Sequence, residues 1–211
     1  MFNEKIITKI GYLETTLPFP YYNQLLQNIN ENPPTESHSG RLAGQIENEK
    51  VLNLSLIPEE VKQIINQGCH EYVNIFGHNR IRDARAKNRK YRFNLMSSWI
   101  NFQKAGEYNP IHNHDGDLVY VIWLQIPYNL EDELNHPSSK KSNNNIASKF
   151  QFANIDNLFS NKMNPLINVD KSYEGKMIIF HSQMYHCVYP FFTSDDYRIS
   201  MSGNLDIVFE P

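Results

Sequence analysis

The run Leu118-Val119-Tyr120-Val121-Ile122-Trp123-Leu124-Gln125-Ile126 is the most strongly β-patterned stretch of the chain, dense in β-branched and aromatic residues and ended by Pro127. Immediately before it stands Tyr108-Asn109-Pro110-Ile111-His112-Asn113-His114-Asp115-Gly116-Asp117, which packs two histidines and two carboxylates into ten residues. No other segment concentrates so much metal-binding chemistry. In extended backbone, residues i and i+2 project from one face, so His112 and His114 point the same way. Neutral imidazoles that close together suit iron, zinc, copper or nickel. Asp115-Gly116 favours a turn, which can end the strand and aim Asp115 elsewhere. Taken alone, the segment reads more readily as a polar turn carrying surface histidines than as a metal site.

Outward from this pair, the strand character continues. Trp99-Ile100-Asn101-Phe102 alternates and Ala105-Gly106-Glu107 turns. Phe150 to Ala153, Leu166 to Val169, Lys176 to Phe180, Cys187 to Phe191 and Arg198 to Phe209 read as further short strands, with Glu174-Gly175 as a turn. Many short strands with regular turn signals predict a mainly β sandwich or barrel, here with helices packed on one side. Residues 3–10 alternate loosely as an opening strand, Tyr21 to Asn30 reads as a short helix, and Asn32 to Gly44 as a loop. Pro58 to Phe76 is the best helix: Pro58 fits its first turn, Glu59 and Glu60 complement its N-terminal dipole, and apolar residues from Val61 to Phe76 recur at helical spacing. Glu131 to Lys149 holds a Ser/Lys/Asn-rich tract and is expected to be a mobile polar loop. The division expected is one domain over 1–211, with 1–90 as helical and strand support and 91–211 as the β core.

Bulk composition narrows the function classes. The 211 residues are 40% hydrophobic and 20% charged, with a net charge of −3, which is globular and argues against a general nucleic-acid binder. The basic run Arg80 to Arg92 reads as a solvated face. Two cysteines, Cys69 and Cys187, support neither a zinc ribbon nor a disulfide framework. Without a long apolar run or an apolar leader, a soluble, cytoplasmic protein is the expectation.

A second cluster completes the pattern. Met177 to Phe180 is an apolar strand leading into His181-Ser182-Gln183-Met184-Tyr185-His186, and either His181 or His186 could supply a third nitrogen. Farther on, Arg198, Ser200 and Ser202 share one strand face. An arginine among hydroxyls in an apolar β-region is suited to grip a carboxylate bidentately.

His112 before LVYVIWLQIP, His186 after the Gly175–Phe180 turn and strand, and the Arg198-x-Ser200 pair together resemble the iron(II)- and 2-oxoglutarate-dependent oxygenases of the prolyl-4-hydroxylase-like branch. The likeness is greatest to a bacterial and phage-associated group with an H-x-H pair and an RISxSxN segment, and it covers roughly residues 91–208. The resemblance implies a double-stranded β-helix (jelly-roll) core in an α+β chain. It implies Fe(II) held by His112, His114 and His186, and 2-oxoglutarate held by Arg198 with Ser200. Asn101, Asn204 and Tyr120 are weaker candidates beside them, each equally readable as a strand-end or core polar residue, while Trp99 and Trp123 read as core aromatics. The family's usual H-x-D/E…H becomes His112-x-His114 here, so either His114 takes the acidic ligand's place or Asp115 or Asp117 reaches the metal. His114 is favoured because the i, i+2 spacing is kept. The activity implied consumes O2 and 2-oxoglutarate, releases succinate and CO2, and hydroxylates a C–H bond of a protein side chain or small molecule.

Two other classes share the architecture. A cupin-type dioxygenase or isomerase would use the H-x-H and a later histidine without 2-oxoglutarate, but usually shows a Glu soon after the second histidine, and none occurs between His114 and Glu131. A non-catalytic jelly-roll binding module would have lost its metal altogether.

Overall fold

The computed structural model describes residues 11–153 and 166–210, so the opening strand expected over residues 3–10 lies outside the described residues. In chain order the elements are β1 (Tyr12–Thr16), α1 (Phe19–Glu31), β2 (Asn48–Val51), α2 (Glu59–Phe76), α3 (Asn79–Ala86), β3 (Tyr91–Gln103), β4 (Asn109–His112), β5 (Leu118–Gln125), α4 (Leu130–Asn135), β6 (Phe150–Phe152), β7 (Leu166–Ile167), β8 (Lys176–His181), β9 (His186–Val188) and β10 (Arg198–Phe209). Every pairing among these strands is antiparallel. They form a six-stranded sheet in the order β1-β8-β5-β10-β3-β2 and a four-stranded sheet in the order β4-β9-β6-β7.

The period of two along a strand divides the large sheet into two unlike faces. Ile100 on β3, Met201 on β10, Tyr120 and Ile122 on β5, and Met177 and Ile179 on β8 point outward to the helices. There they meet Leu25 and Ile29 of α1 and Val61, Ile65, Cys69, Tyr72 and Val73 of α2, all of them buried. Helix α2 begins after Pro58, which serves as N-cap, with Glu59 and Glu60 in its first turn. The inward face faces the small sheet: Val119, Val121 and Trp123 of β5 and Ile178 and Phe180 of β8 pack against Phe150, Phe152 and Ile167.

Across β10, β3 and β2 that inward face turns polar. Residues paired directly across antiparallel strands project to the same side. Register therefore lines up Glu49, Asn101, Ser200 and Trp123 in one row across β2, β3, β10 and β5. The next rows carry Trp99, Ser202 and Val121, then Ser97, Asn204 and Val119.

The segment 131–149, expected as a mobile polar loop, is instead partly helical and tied down. Helix α4 opens it, with Glu131, Asp132 and Glu133 in its first turn. Glu133 is fully buried and accepts from the backbone N–H of Phe192 and of Thr193, both at 2.8 Å, and from Thr193 Oγ1 at 2.5 Å. Three donors on one buried carboxylate fasten this segment to the connection between β9 and β10. No helix among the described residues is long and apolar enough to cross a membrane.

Candidate metal centre and its cavity

Strand pairing brings the two histidine segments together, because β4 pairs with β9 and sets His112 directly opposite His186. His114 follows on the turn after β4, its backbone N–H held by Ser182 O at 3.0 Å. The ring centroids lie 4.3 Å apart for His112 and His186, and 5.0 Å apart for His114 with either one. One nitrogen from each of the three falls within 4.8 Å of the others, the one such cluster among the described residues.

The backbone settles how two of these rings present themselves. His112 Nδ1 lies 2.7 Å from Pro110 O and His186 Nδ1 lies 3.0 Å from Met184 O. A carbonyl can only accept, so each Nδ1 carries the proton and each Nε2 keeps its lone pair, the arrangement of a histidine oriented for a metal. His114 Nε2 stands 3.2 Å from His186 Nε2. Two nitrogens sharing one ion at about 2.1 Å lie roughly 3.0–3.4 Å apart for angles between octahedral and tetrahedral, so the spacing fits. Burial lowers the pKa of all three rings: His114 to about 3, helped by the neighbouring His112, and His186 well below its usual value, helped by both neighbours. At neutral pH the cluster is a set of uncharged donors. Phe150 stacks on His186 at 5.2 Å and Trp99 lies 5.5 Å from His114, closing it from behind.

Neither aspartate belongs to this cluster. Asp117 is buried and turned toward Arg80, whose guanidinium donates to it, while the Ile207 N–H donates to the same carboxylate at 2.7 Å. Asp115 is exposed at the cavity rim. His181, weighed as a third nitrogen, stacks on His78 at 4.8 Å and lines a separate cavity of about 550 Å³ between the α2–α3 region and β8, which contains none of the three clustered histidines. Tyr120, a candidate from the sequence, is corrected: its position in β5 puts it on the outward face, fully buried, with its hydroxyl 2.8 Å from Ser98 Oγ. Gly203, directly opposite, makes room for that ring, since a Cβ there would lie 2.6 Å from the tyrosine ring.

Arg198 is 2% exposed and lines the same cavity as the histidines. All five of its N–H bonds find neutral acceptors. Nε and Nη2 share Gln103 Oε1 at 3.1 and 2.7 Å, Nη1 reaches Tyr128 Oη at 2.7 Å and Ser148 O at 3.0 Å, and Nη2 also reaches Tyr189 O at 2.8 Å. No carboxylate of the described residues lies within 4.0 Å of it. A guanidinium buried without a counter-ion is costly unless an anion joins it.

The shared cavity measures about 360 Å³ and holds Ser200, Ser202, Asn101 and Asn204 as well, all drawn from the inward face of β3 and β10. Trp99 and Trp123 are buried at 3% and 2%, as core aromatics are, yet both also line this cavity. Three lining residues had no signal in the sequence: Glu49 from β2, and His38 and Arg41 from the segment before it. Four-residue β2 shows no periodicity to read, and its pairing with β3 is nonlocal.

A family model described as "Putative 2OG-Fe(II) oxygenase" matches residues 97–204. This span runs from β3 to the middle of β10 and contains all three clustered histidines and Arg198. Among solved structures, a prolyl-4-hydroxylase from Pseudomonas putida is similar with a TM-score of 0.52 at 11% identity, covering 93% of this chain and 92% of that one. A 2OG-Fe(II) oxygenase family oxidoreductase from Burkholderia pseudomallei gives 0.51 at 13% identity, covering 93% and 84%. AviO1 from Streptomyces viridochromogenes gives 0.52 at 9% identity, covering 93% and 90%. At such identities these likenesses speak to the fold, the double-stranded β-helix. No curated protein matches the chain in sequence.

Proposed function

This chain belongs to the 2OG-Fe(II) oxygenase family, and from that premise we propose that it hydroxylates a C–H bond of a protein side chain or small molecule. The cofactors of the family are Fe(II) and 2-oxoglutarate, and the enzyme is an oxidoreductase. Together with O2 they supply the oxidising power, at the cost of converting 2-oxoglutarate to succinate and CO2. The observation that carries the reading is a single juxtaposition: three neutral histidine nitrogens within 4.8 Å and a buried arginine without a counter-ion open onto one cavity.

In this reading His112, His114 and His186 would hold the iron. Pro110 O and Met184 O keep His112 and His186 in the tautomer that offers Nε2, and Ser182 O steadies the turn that presents His114. With histidine where the family's motif has an acid, the ligand set brings no negative charge. The metal keeps its full charge, which favours dianionic 2-oxoglutarate beside it.

Arg198 receives the far carboxylate of 2-oxoglutarate, with Ser200 next to it on the same face and Asn101 and Asn204 lining the space between. A carboxylate there would take the place of one of the neutral acceptors that satisfy the guanidinium. Gln103 Oε1, held side-on by Nε and Nη2, occupies the bidentate position that a carboxylate oxygen pair prefers. Phe150, Trp99, Trp123 and Val121 wall the cavity and keep bulk water from the reacting centre.

The test is anaerobic. Fe(II) and 2-oxoglutarate added together under argon are expected to produce a weak visible charge-transfer band, and admission of O2 to yield succinate. Absence of both with iron bound would overturn the proposal. Screening peptides and metabolites by mass spectrometry for a product heavier by one oxygen would then identify the substrate class.

A further inference from the structure

Two glutamates among the described residues are deeply buried, and they are treated in opposite ways. Glu133 is surrounded by three donors, as a structural carboxylate is. Glu49 is 1% exposed, yet neither of its carboxylate oxygens has a hydrogen-bond partner. No cation lies within 4.0 Å of it among the described residues. Lys50, next in sequence, points the other way and donates to Thr35 O. An unpartnered carboxylate destabilises a fold, and a stable chain retains one chiefly where function uses it.

The position of Glu49 shows what that use can be. It lies in the row Glu49, Asn101, Ser200 and lines the cavity that holds the three histidines. Asn101 Oδ1 beside it and Asn204 Oδ1 farther along are also buried without partners. The backbone of Gly44 passes directly over Glu49, and a Cβ there would run into Glu49 Oε1 and lie 2.7 Å from Asn109 Oδ1. Glu49 and Asn101 thus leave acceptors in want of donors where β2 meets β3, whereas the donors of Arg198, at the start of β10, are already satisfied.

We propose that Glu49 is the recognition point for the oxidised substrate, and that this substrate presents an ammonium or guanidinium group to it. The identification of this ligand as substrate rests on the oxygenase reading above; the cation site itself stands on Glu49 and its surroundings. Two free carboxylate oxygens match two N–H donors of one guanidinium or ammonium. Burial, with the nearby Glu107 adding to it, raises the pKa of Glu49 to about 7 because its ionised form has no partner; a bound cation supplies that partner and draws the carboxyl into its charged form. The cavity, at about 360 Å³, accommodates 2-oxoglutarate and an extended side chain of lysine or arginine size together.

The probes are Nα-acetyl-arginine methylamide and Nα-acetyl-lysine methylamide, compared with the neutral citrulline and the anionic glutamate analogues. Calorimetry on the full chain, metal-free and then loaded anaerobically with Fe(II) and 2-oxoglutarate, gives the affinities. At least tenfold tighter binding of the cationic probes than of the citrulline analogue is expected, with that preference lost in Glu49→Gln. The amide variant should melt no lower than the parent, because it removes an unpartnered buried charge. Equal affinity for the citrulline analogue, tighter binding of the glutamate analogue, no binding of any probe, or a preference surviving in Glu49→Gln would each overturn the proposal. So would a large drop in melting temperature, which marks a structural glutamate. The two readings fail separately. A chain that discriminates cations when metal-free but never develops the visible band keeps the cation site and loses the oxygenase reading; a band without discrimination does the reverse.

Discussion

The two faces of the large sheet are made from the same strands and differ in almost every physical respect. On the outward face, Ile100, Met201, Tyr120 and Ile122 are fully buried against α1 and α2, and the one hydroxyl among them is paired with Ser98. On the inward face, one residue along in each strand, Asn101, Ser202 and Asn204 border a cavity, and Asn101 and Asn204 leave polar oxygens unpaired. Arg198 and Glu49 are buried there without counter-ions. The outward face is built for stability and the inward face departs from it, which is where chemistry is expected to sit. The difference predicts that mutations on one face act on folding and on the other on binding.

The largest effect belongs to the outward face. Met201→Ala should cost about 2–5 kcal/mol by opening a cavity behind the sheet, measured by urea unfolding, while the folded fraction binds iron as before. An equal loss of iron affinity in the folded fraction would break the separation of the faces. On the inward face the pattern should invert. Arg198→Met should weaken 2-oxoglutarate binding by about 1.5–3 kcal/mol, the worth of a charged hydrogen-bonded contact, read from titration of the visible band.

Acid should act through the histidine cluster. The unfolded chain takes up protons near the usual histidine value of 6.5, whereas folded His114 resists them down to about 3. The unfolded state therefore binds more protons over this interval, and the stability of the metal-free protein falls as pH drops below about 6.5. A loss on the order of 1–2 kcal/mol by about pH 5 is expected from His114 alone, visible as a falling urea midpoint. His114→Asn should remove its share of that fall and leave the shares of His112 and His186. Tyr120→Phe gives the smallest change, about 1 kcal/mol of stability for one buried hydrogen bond, with no effect on iron or 2-oxoglutarate.

The sequence showed the inward face unevenly. Period-two alternation and the i, i+2 spacing made β5, His112, His114, Arg198 and Ser200 legible, because those signals are local. The family match covers these residues and separates the chain from a cupin-type enzyme. Residue types alone left His181 and His186 open; the family resemblance picked His186, and the β4–β9 pairing, a tertiary fact, sets that residue opposite His112. Tyr120 stayed open between site and core for a related reason, since alternation gives two faces without saying which one faces the metal. Glu49 was invisible: β2 is four residues long, and only its register against Asn101 brings it into the cavity. The Ser/Lys/Asn-rich segment looked mobile because Glu133, its anchor, finds its donors some 60 residues later, at Phe192 and Thr193.

Anaerobic iron titration of the chelator-stripped chain beside its His112→Ala, His114→Ala and His186→Ala variants tests the central assignment most directly. One Fe(II) per chain is predicted for the parent, with the 2-oxoglutarate band developing in proportion to it. Each of the three variants should lose both tight iron binding and the band while remaining folded by circular dichroism. Undiminished iron affinity in His114→Ala, with loss in Asp115→Ala instead, would contradict the three-histidine centre.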